Sequence, residues 1–202
     1  ADHGFTGEIG LLSIDIDGND YWVWEEISCV NPAIVVAEYN SYFGAERAIT
    51  VPYNPAFYRT SAHHSNLYFG ASLPALAYLA DKKGYALLGC NKSGNNAFFV
   101  RNDLLAKTGL PALSAQEAFV ETRAREARNP DGKLNFASAE TSLVGAPTKP
   151  NHTMFSMPTH PMVAISSTLP MFTPNGKMEI TVAIAKQLSV AGLKSAVIEA
   201  KL

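Results

Sequence analysis

The sequence predicts an α/β fold in which a parallel sheet ends in an antiparallel hairpin. Two continuous apolar runs, residues 11–17 and 33–38, are separated by a segment with helical spacing, as expected of parallel strands covered on both faces. A helix signal over residues 72–83 precedes a third strand at 85–90. Only a short turn separates that strand from a fourth at 96–101, and so short a connection requires an antiparallel pair.

The helices of this pattern have recognisable boundaries. The first is predicted over residues 20–30, where Pro32 ends it. Ser72 and Pro74 lie where the second helix begins, and Gly84 lies where a glycine commonly ends one. Strand, helix, strand, long loop, helix and hairpin therefore follow one another along the chain. We predict that the first two strands are parallel neighbours in the sheet, that the strand at 96–101 lies antiparallel beside the strand at 33–38, and that the strand at 85–90 forms the edge.

The chain divides into two parts by composition. A capping-box signature between Ser114 and Glu117 predicts a helix that runs to about Arg128 and ends in turn residues. Residues 1–136 are therefore predicted to form one α/β domain. Residues 137–202 are Ser-, Thr-, Pro- and Met-rich at first, and we predict an extended segment with a candidate strand at residues 178–186 and a candidate helix at residues 187–201.

Composition excludes several classes of protein. The hydrophobic fraction of 47% and the charged fraction of 17% are those of a globular chain rather than a disordered one. A net charge of −2 without a basic cluster argues against nucleic acid, and no apolar run reaches the ~20 residues of a membrane span. Cys29 and Cys90 lie in apolar stretches and are predicted to be buried reduced thiols, which favours a cytoplasmic location.

Five sequence blocks within residues 10–135 occur in the order SIDIDGNDYWVW, VVAEYN, VPYNPAF, YFGASLPALAYLADKKGYALLGC and NNAFFVR. They resemble the corresponding blocks of FkbM-related, class I S-adenosylmethionine-dependent methyltransferase-like proteins. The resemblance implies the C-terminal half of a Rossmann-like sheet. It also implies S-adenosylmethionine as the cofactor and a hydroxyl or amine of a small molecule or glycan as the methyl acceptor.

The Gly-rich turn and the acidic residue that bind the cofactor in that class cannot be placed in this sequence. Only ten residues precede Leu11, and the segment from Gly89 to Gly94 leads into a strand instead of a helix. Two functions follow. The chain is the acceptor part of a methyltransferase, inactive by itself, or it is a degenerate, non-catalytic binding or assembly module.

Oxygen-bearing side chains mark the carboxyl ends of the first two strands. Asp15 and Asp17 are two apart and were expected on one face of a strand, and Glu38 and Asn40 end the next one. Ligands bind at this edge of open α/β sheets. Carboxylate and amide oxygens suit Mg²⁺, which makes Asp15, Glu38 and Asn40 candidate metal ligands. The layout resembles that of cation-dependent catechol O-methyltransferases, although Tyr39 separates Glu38 from Asn40.

Two other interpretations of these carboxylates stay open. Asp15, Asp17 and Asp20 are also placed to cap the following helix and to anchor loop amides. Alternatively, Asp15 or Asp17 contacts substrate or cofactor directly, without a metal, and takes up the proton that the acceptor loses.

The aromatic loop at residues 41–68 supplies further candidates. His63 or His64 would serve as a proton acceptor, because a histidine titrates near neutral pH. Tyr53 and Tyr58 would line the substrate pocket. The alternatives are histidines at the surface and aromatic rings that pack the loop onto the sheet.

The strand edge from Leu11 to Asp17 has no evident partner in sequence. Because an open apolar edge promotes aggregation, we expect it to be covered. A second copy, a separate chain or N-terminal residues are the favoured covers, and residues 178–186 (MEITVAIAK) are the intramolecular alternative.

Overall fold

The computed structural model describes residues 5–123, 127–135 and the backbone of 199–200. It is an α/β structure built on an open mixed sheet, whose strand order is β3-β4-β2-β1-β5. The strands are β1 Gly7–Ile14, β2 Val30–Glu38, β3 Tyr85–Cys90, β4 Asn96–Arg101 and β5 Glu199–Ala200. The helices are α1 Asp20–Glu26, α2 Arg59–Ala62, α3 Leu73–Lys82, α4 Leu105–Thr108 and α5 Ala115–Ala118, with 3₁₀ turns at Ser41–Phe43 and Asn102–Leu104.

The predicted strand order is confirmed. Strands β1 and β2 are parallel, with Leu11 opposite Ile34, and β4 lies antiparallel on the other side of β2, with Phe98 opposite Val36. Strand β3 forms the edge through the short hairpin with β4. The continuous apolar character of β2 follows from its central position, since both of its faces are covered.

Two hydrophobic layers cover the sheet. On one face, α1, α3 and α5 pack against the strands around Trp24, Leu76 and Phe99. On the other face, Ile34 and Val100 pack in a smaller cluster. Helix α3 begins as predicted, with the Ser72 hydroxyl accepting a hydrogen bond from the Ala75 amide, Pro74 in its first turn and Gly84 at φ 81° after its end.

Strand β1 begins and ends earlier than predicted. It ends at Ile14, because the carboxylate of Asp20 accepts the amides of Ile16 and Gly18 and folds the following residues into a loop. Asp17 has a φ of 55°, in the left-handed region. The expectation that Asp15 and Asp17 share one face of a strand is therefore wrong, since both lie in this loop.

Helix α1 is also shorter than predicted, and Pro32 does not end it. The helix stops at Glu26, where the Lys83 amine donates to the carbonyl oxygens of Glu25 and Ile27. Pro32 lies inside β2. The pairing of β2 with β4 begins only at Ile34, so the missing amide of Pro32 costs that ladder nothing.

Helix α5 ends after one turn, and the prediction that it reaches Arg128 is wrong. The capping box between Ser114 and Glu117 is present as predicted. Beyond it the chain is extended, because tertiary contacts hold it there: the Tyr39 hydroxyl donates to the carbonyl of Val120, and the Thr122 amide donates to Ser41.

The C-terminal predictions fall mostly outside the described residues. Glu199–Ala200 pair parallel with Ser13 and Ile14, so the helix predicted over 187–201 is wrong at these two positions. They cover the end of the β1 edge. The strand predicted at 178–186 lies outside the described residues, and a second chain as the cover stays a prediction.

Both cysteines are free thiols, as predicted. Cys29 is exposed, however, which corrects the prediction that it is buried. Cys90 is half-buried beside Tyr39, and burial raises the pKa of its thiol to about 12. Among the described helices, none is long and apolar enough to cross a bilayer.

Candidate functional site

The loop after β1 is organised around the buried carboxylate of Asp20. Its two oxygens accept the amides of Ile16 and Gly18, each at 3.0 Å. Burial raises the pKa of Asp20 to about 6, although these backbone hydrogen bonds favour its ionised form. Asp20 therefore anchors the loop, which is one of the roles that the sequence predicted for these aspartates.

Glu38 ends β2 in the same region. Only 9% of this residue is exposed, and its Oε2 atom is buried without a hydrogen-bond partner. Burial raises the pKa of Glu38 well above its ordinary value, and the charges of Asp15, Asp20 and Asp17 raise it further, whereas Arg59 lowers it. We call Asp15, Asp17, Asp20 and Glu38 the acidic cluster. The structure thus brings together the carboxylates of two adjacent strand ends.

Arg59, in the aromatic loop, contacts the acidic cluster through Asp17. Its guanidinium lies 3.0 Å from a carboxylate oxygen of Asp17 and donates from Nε to the carbonyl of Asn66 at 2.9 Å. The same group stacks over the ring of Phe69, 3.7 Å from its centroid. These contacts fix the loop above the strand ends and compensate part of the negative charge.

A pocket of about 100 Å³ opens beside Glu38. Its wall includes residues from β2, the aromatic loop and the β3–β4 turn, among them Glu38, Tyr42, Arg59, Phe69, Ser93, Asn95 and Thr122. Gly94 completes the wall. A Cβ atom there would lie 2.6 Å from the backbone at Glu121 and Thr122, so only glycine allows the chain to pass so close.

The side chain of Asn40 is hydrogen-bonded to backbone groups at both ends of the aromatic loop. Its amide group donates to the carbonyls of Leu67 and Phe69 at 2.8 and 2.9 Å, and its oxygen accepts the Tyr42 amide at 3.0 Å. Within the described part of the chain, no group of three or more His, Cys, Asp or Glu side chains is arranged to hold a metal ion. A cation held by Asp15 and Glu38 stays a prediction, and Asn40 has a structural role instead.

The two histidines lie in the loop and line neither pocket described here. His63 Nδ1 accepts the Ser65 amide at 3.2 Å and lies 2.8 Å from the Ser65 hydroxyl, which places the proton of the neutral ring on Nε2. Partial burial and the neighbouring His64 lower the pKa of His63. The two rings pack at 4.2 Å between centroids, an arrangement that organises the loop.

The predicted substrate-binding tyrosines are at the surface. Tyr53 is 43% and Tyr58 68% exposed, and neither lines the pocket beside Glu38. Between them, the Phe57 ring packs so closely on Gly18 that a Cβ atom at Gly18 would lie 2.2 Å from it. The loop is therefore joined to the β1 end through Phe57, and the aromatic residues of the pocket are Tyr39, Tyr42 and Phe69.

A second pocket, of about 220 Å³, lies at the opposite end of the strands, where β2 begins. It contains none of the predicted site residues. Its wall includes Trp24, Pro32, Lys83 and Tyr85, and the Lys83 amine already donates to two carbonyl oxygens. Although it is the larger of the two, its titratable side chains, Lys83 and Tyr85, both donate hydrogen bonds to backbone carbonyl oxygens, so we assign the functional site to the pocket beside Glu38.

Sequence reasoning did not find Arg59. The signal available was its place in the aromatic loop between Tyr58 and two histidines, where a cation was the natural counterpart of the carboxylates.

Comparison of the chain with known protein families, with characterised proteins and with solved structures finds no significant match. The class of protein is therefore defined by its own features: an open mixed α/β sheet with a pocket beside the acidic cluster at the carboxyl ends of its parallel strands.

Proposed function

We propose that the described residues form the acceptor side of a methyl-transfer site, in which a hydroxyl or amine of a small molecule or glycan is methylated by S-adenosylmethionine. One observation carries the proposal. Glu38 lines a pocket, and its Oε2 atom is buried without a hydrogen-bond partner. This pocket lies at the carboxyl ends of parallel strands, where open α/β sheets bind ligands.

An acceptor hydroxyl or amine loses a proton in the course of methylation, so the site needs a group that receives it. Glu38 suits this role because burial and the other carboxylates raise its pKa well above the ordinary value of 4.5. Asp17 is paired with Arg59, and His63 uses Nδ1 within the loop. We therefore assign proton uptake to Glu38 in place of the aspartates and histidines, with Asp15 acting through its charge on Glu38.

The pocket beside Glu38 is assigned to the methyl acceptor and not to the cofactor. A pocket of about 100 Å³ is smaller than the ~300–1,000 Å³ of typical ligand sites, and no Gly-rich turn joins a strand to a helix within the described ranges. The proposal therefore concerns the acceptor only. Glu38 receives the proton, and Tyr42 and Phe69 line the same pocket.

The same small pocket favours a second candidate function, a non-catalytic module that binds a small polar group or assembles with a partner. Such a module would use the Glu38 pocket without any methyl donor. The two functions differ in whether S-adenosylmethionine takes part at all.

A methyl-transfer assay separates them. The purified full-length gene product is incubated with tritiated S-adenosylmethionine and a panel of catechols, sugars, polyols and amines, and binding of S-adenosylhomocysteine is measured by calorimetry. We expect one acceptor class to be labelled and Glu38→Gln to reduce the rate by about 10²–10⁴-fold. Exposed Glu26 at the end of α1 provides the control Glu26→Gln, which keeps the rate. If no acceptor is labelled and no S-adenosylhomocysteine binds, methyl transfer is refuted in favour of the binding module.

A further inference from the structure

The charges around Glu38 identify the kind of group that the pocket accepts. We infer that the pocket binds the ammonium group of a cationic amine, so that the acceptor, if the proposed methyl transfer holds, is an amine and not a neutral alcohol. The binding claim itself needs only the pocket and its charges.

The electrostatic balance of the site is negative. Three carboxylates, Asp15, Asp17 and Asp20, and one guanidinium, that of Arg59, act on Glu38. Arg59 is itself 3.0 Å from Asp17, so its charge is largely compensated by that contact. A positive charge at the buried Oε2 of Glu38 would be attracted by the remaining carboxylates.

The hydrogen-bonding character of Glu38 supports the same conclusion. Its Oε2 is buried and has no partner, which leaves an acceptor that requires a donor. An ammonium group has three N–H donors and no acceptor, so it complements a wall of oxygen atoms. Ser93 and Asn95 add such atoms from the β3–β4 turn. An anionic ligand would be repelled by the carboxylate of Glu38, and the one cation in the wall, Arg59, is already paired with Asp17.

The size of the pocket restricts what enters it. About 100 Å³ corresponds to roughly three water molecules at ~30 Å³ each, enough for an ammonium group and one or two carbon atoms. Phe69 and Tyr42 supply aromatic surface beside that volume, and aromatic faces attract cations. One face of Phe69 already carries the Arg59 guanidinium, which shows that a cation is accommodated next to the carboxylates.

Titration of the full chain with ethylammonium chloride, followed by amide NMR shifts at pH 8 without any methyl donor, tests the inference. Ethanol is the neutral probe with the same number of heavy atoms, and sodium acetate is the anionic one. We expect ethylammonium to bind at least tenfold more tightly than ethanol or acetate, with the largest shifts at Glu38, Tyr42 and Asn95. Raising the NaCl concentration to 0.5 M should weaken this binding, because the attraction is electrostatic.

Variants locate the binding. Glu38→Gln keeps the size of the side chain and should weaken the binding of ethylammonium at least tenfold. Asp15→Asn should weaken this binding severalfold, and it serves as the test if Glu38→Gln does not fold. The control Glu26→Gln should bind as the wild type does. The inference is overturned if ethanol binds as tightly as ethylammonium, if neither variant matters, or if Mg²⁺ shifts the same amides while ethylammonium does not. Ethylammonium binding without methyl-transfer activity would support the ammonium site and refute only the proposed reaction.

Discussion

Glu38 combines burial, an unpaired oxygen and like-charged neighbours. A carboxylate in that position is costly when ionised, since desolvation and the charges of Asp15, Asp17 and Asp20 all oppose its charge. Groups kept at such a cost are concentrated at functional sites.

This cost predicts a pH-dependent stability. The pKa of Glu38 is raised in the folded state. The contribution of Glu38 to the stability of the fold is therefore fully present below its unfolded-state pKa near 4.5, and it is lost as the pH rises through its folded-state pKa. Asp20, with a pKa raised from 3.8 to about 6, acts in the same direction as the pH rises between these two values. Glu38→Gln should therefore match the wild type at pH 4.5 and exceed its free energy of unfolding at pH 8 by about 1–3 kcal/mol.

Urea unfolding at pH 4.5 and pH 8 measures the effect. The control Glu26→Gln should leave the free energy of unfolding unchanged at both pH values. If Glu38→Gln is less stable than the wild type at pH 8, the ionised carboxylate of Glu38 is stabilised by a partner in the folded state, which contradicts the prediction.

The single residues of the site were only partly predictable from sequence. Asp15 and Glu38 follow from position, because polar residues at the ends of apolar strands must meet at one edge of a parallel sheet. The role of Asn40 could not be predicted, since its partners Leu67 and Phe69 are backbone carbonyls far along the chain. Arg59 was missed for the same reason: its contact with Asp17 depends on how the long loop folds back.

Some helices and strands are determined by residues close to them in sequence, and others by contacts with distant parts of the chain. Helix α3 and the β3–β4 hairpin were predicted closely because capping, turn length and apolar runs are all local signals. Helix α5 was predicted too long, since the hydrogen bonds of Tyr39 and Ser41 with the following segment override its helical tendency. The end of β1 was missed because Asp20 binds amides that precede it.

The close approach of the segment after α5 to the β3–β4 turn gives a second prediction. Gly94 has a φ of 73°, and an added Cβ would lie 2.6 Å from the backbone of Glu121 and Thr122. Gly94→Ala should cost about 1 kcal/mol for the backbone conformation and a further ~1–3 kcal/mol for the overlap. Chemical denaturation measures the total loss of stability.

Gly109 provides the matched control, because it has a φ of 67° and nothing within 4 Å of its added Cβ. Gly109→Ala should therefore show only the conformational cost of about 1 kcal/mol. Equal losses for the two variants would show that the segment at 121–122 does not pack on the turn, and the wall of the Glu38 pocket would have to be described differently.

The fold as a whole explains why the pocket lies where it does. Parallel pairing of β1 with β2 brings the acidic ends of both strands to one edge, and the antiparallel β4 places the turn with Gly94 and Asn95 beside them. The sheet order was predictable because each pairing depends on apolar runs and connection lengths. The cover of the β1 edge was not, since Glu199–Ala200 reach Ser13 and Ile14 from the far end of the chain.

The central claim is that this fold delivers an ionisable, unpaired carboxylate to a pocket at the sheet edge. A ¹³C NMR titration of the glutamate carboxyl carbons tests it most directly, with the Glu38 signal assigned by its loss in Glu38→Gln. We predict that Glu38 titrates well above the ordinary value of 4.5, because it is buried among other carboxylates. A Glu38 midpoint at or below 4.5 would mean that its carboxylate is solvated or paired, and it would contradict both the proposed proton acceptor and the ammonium site.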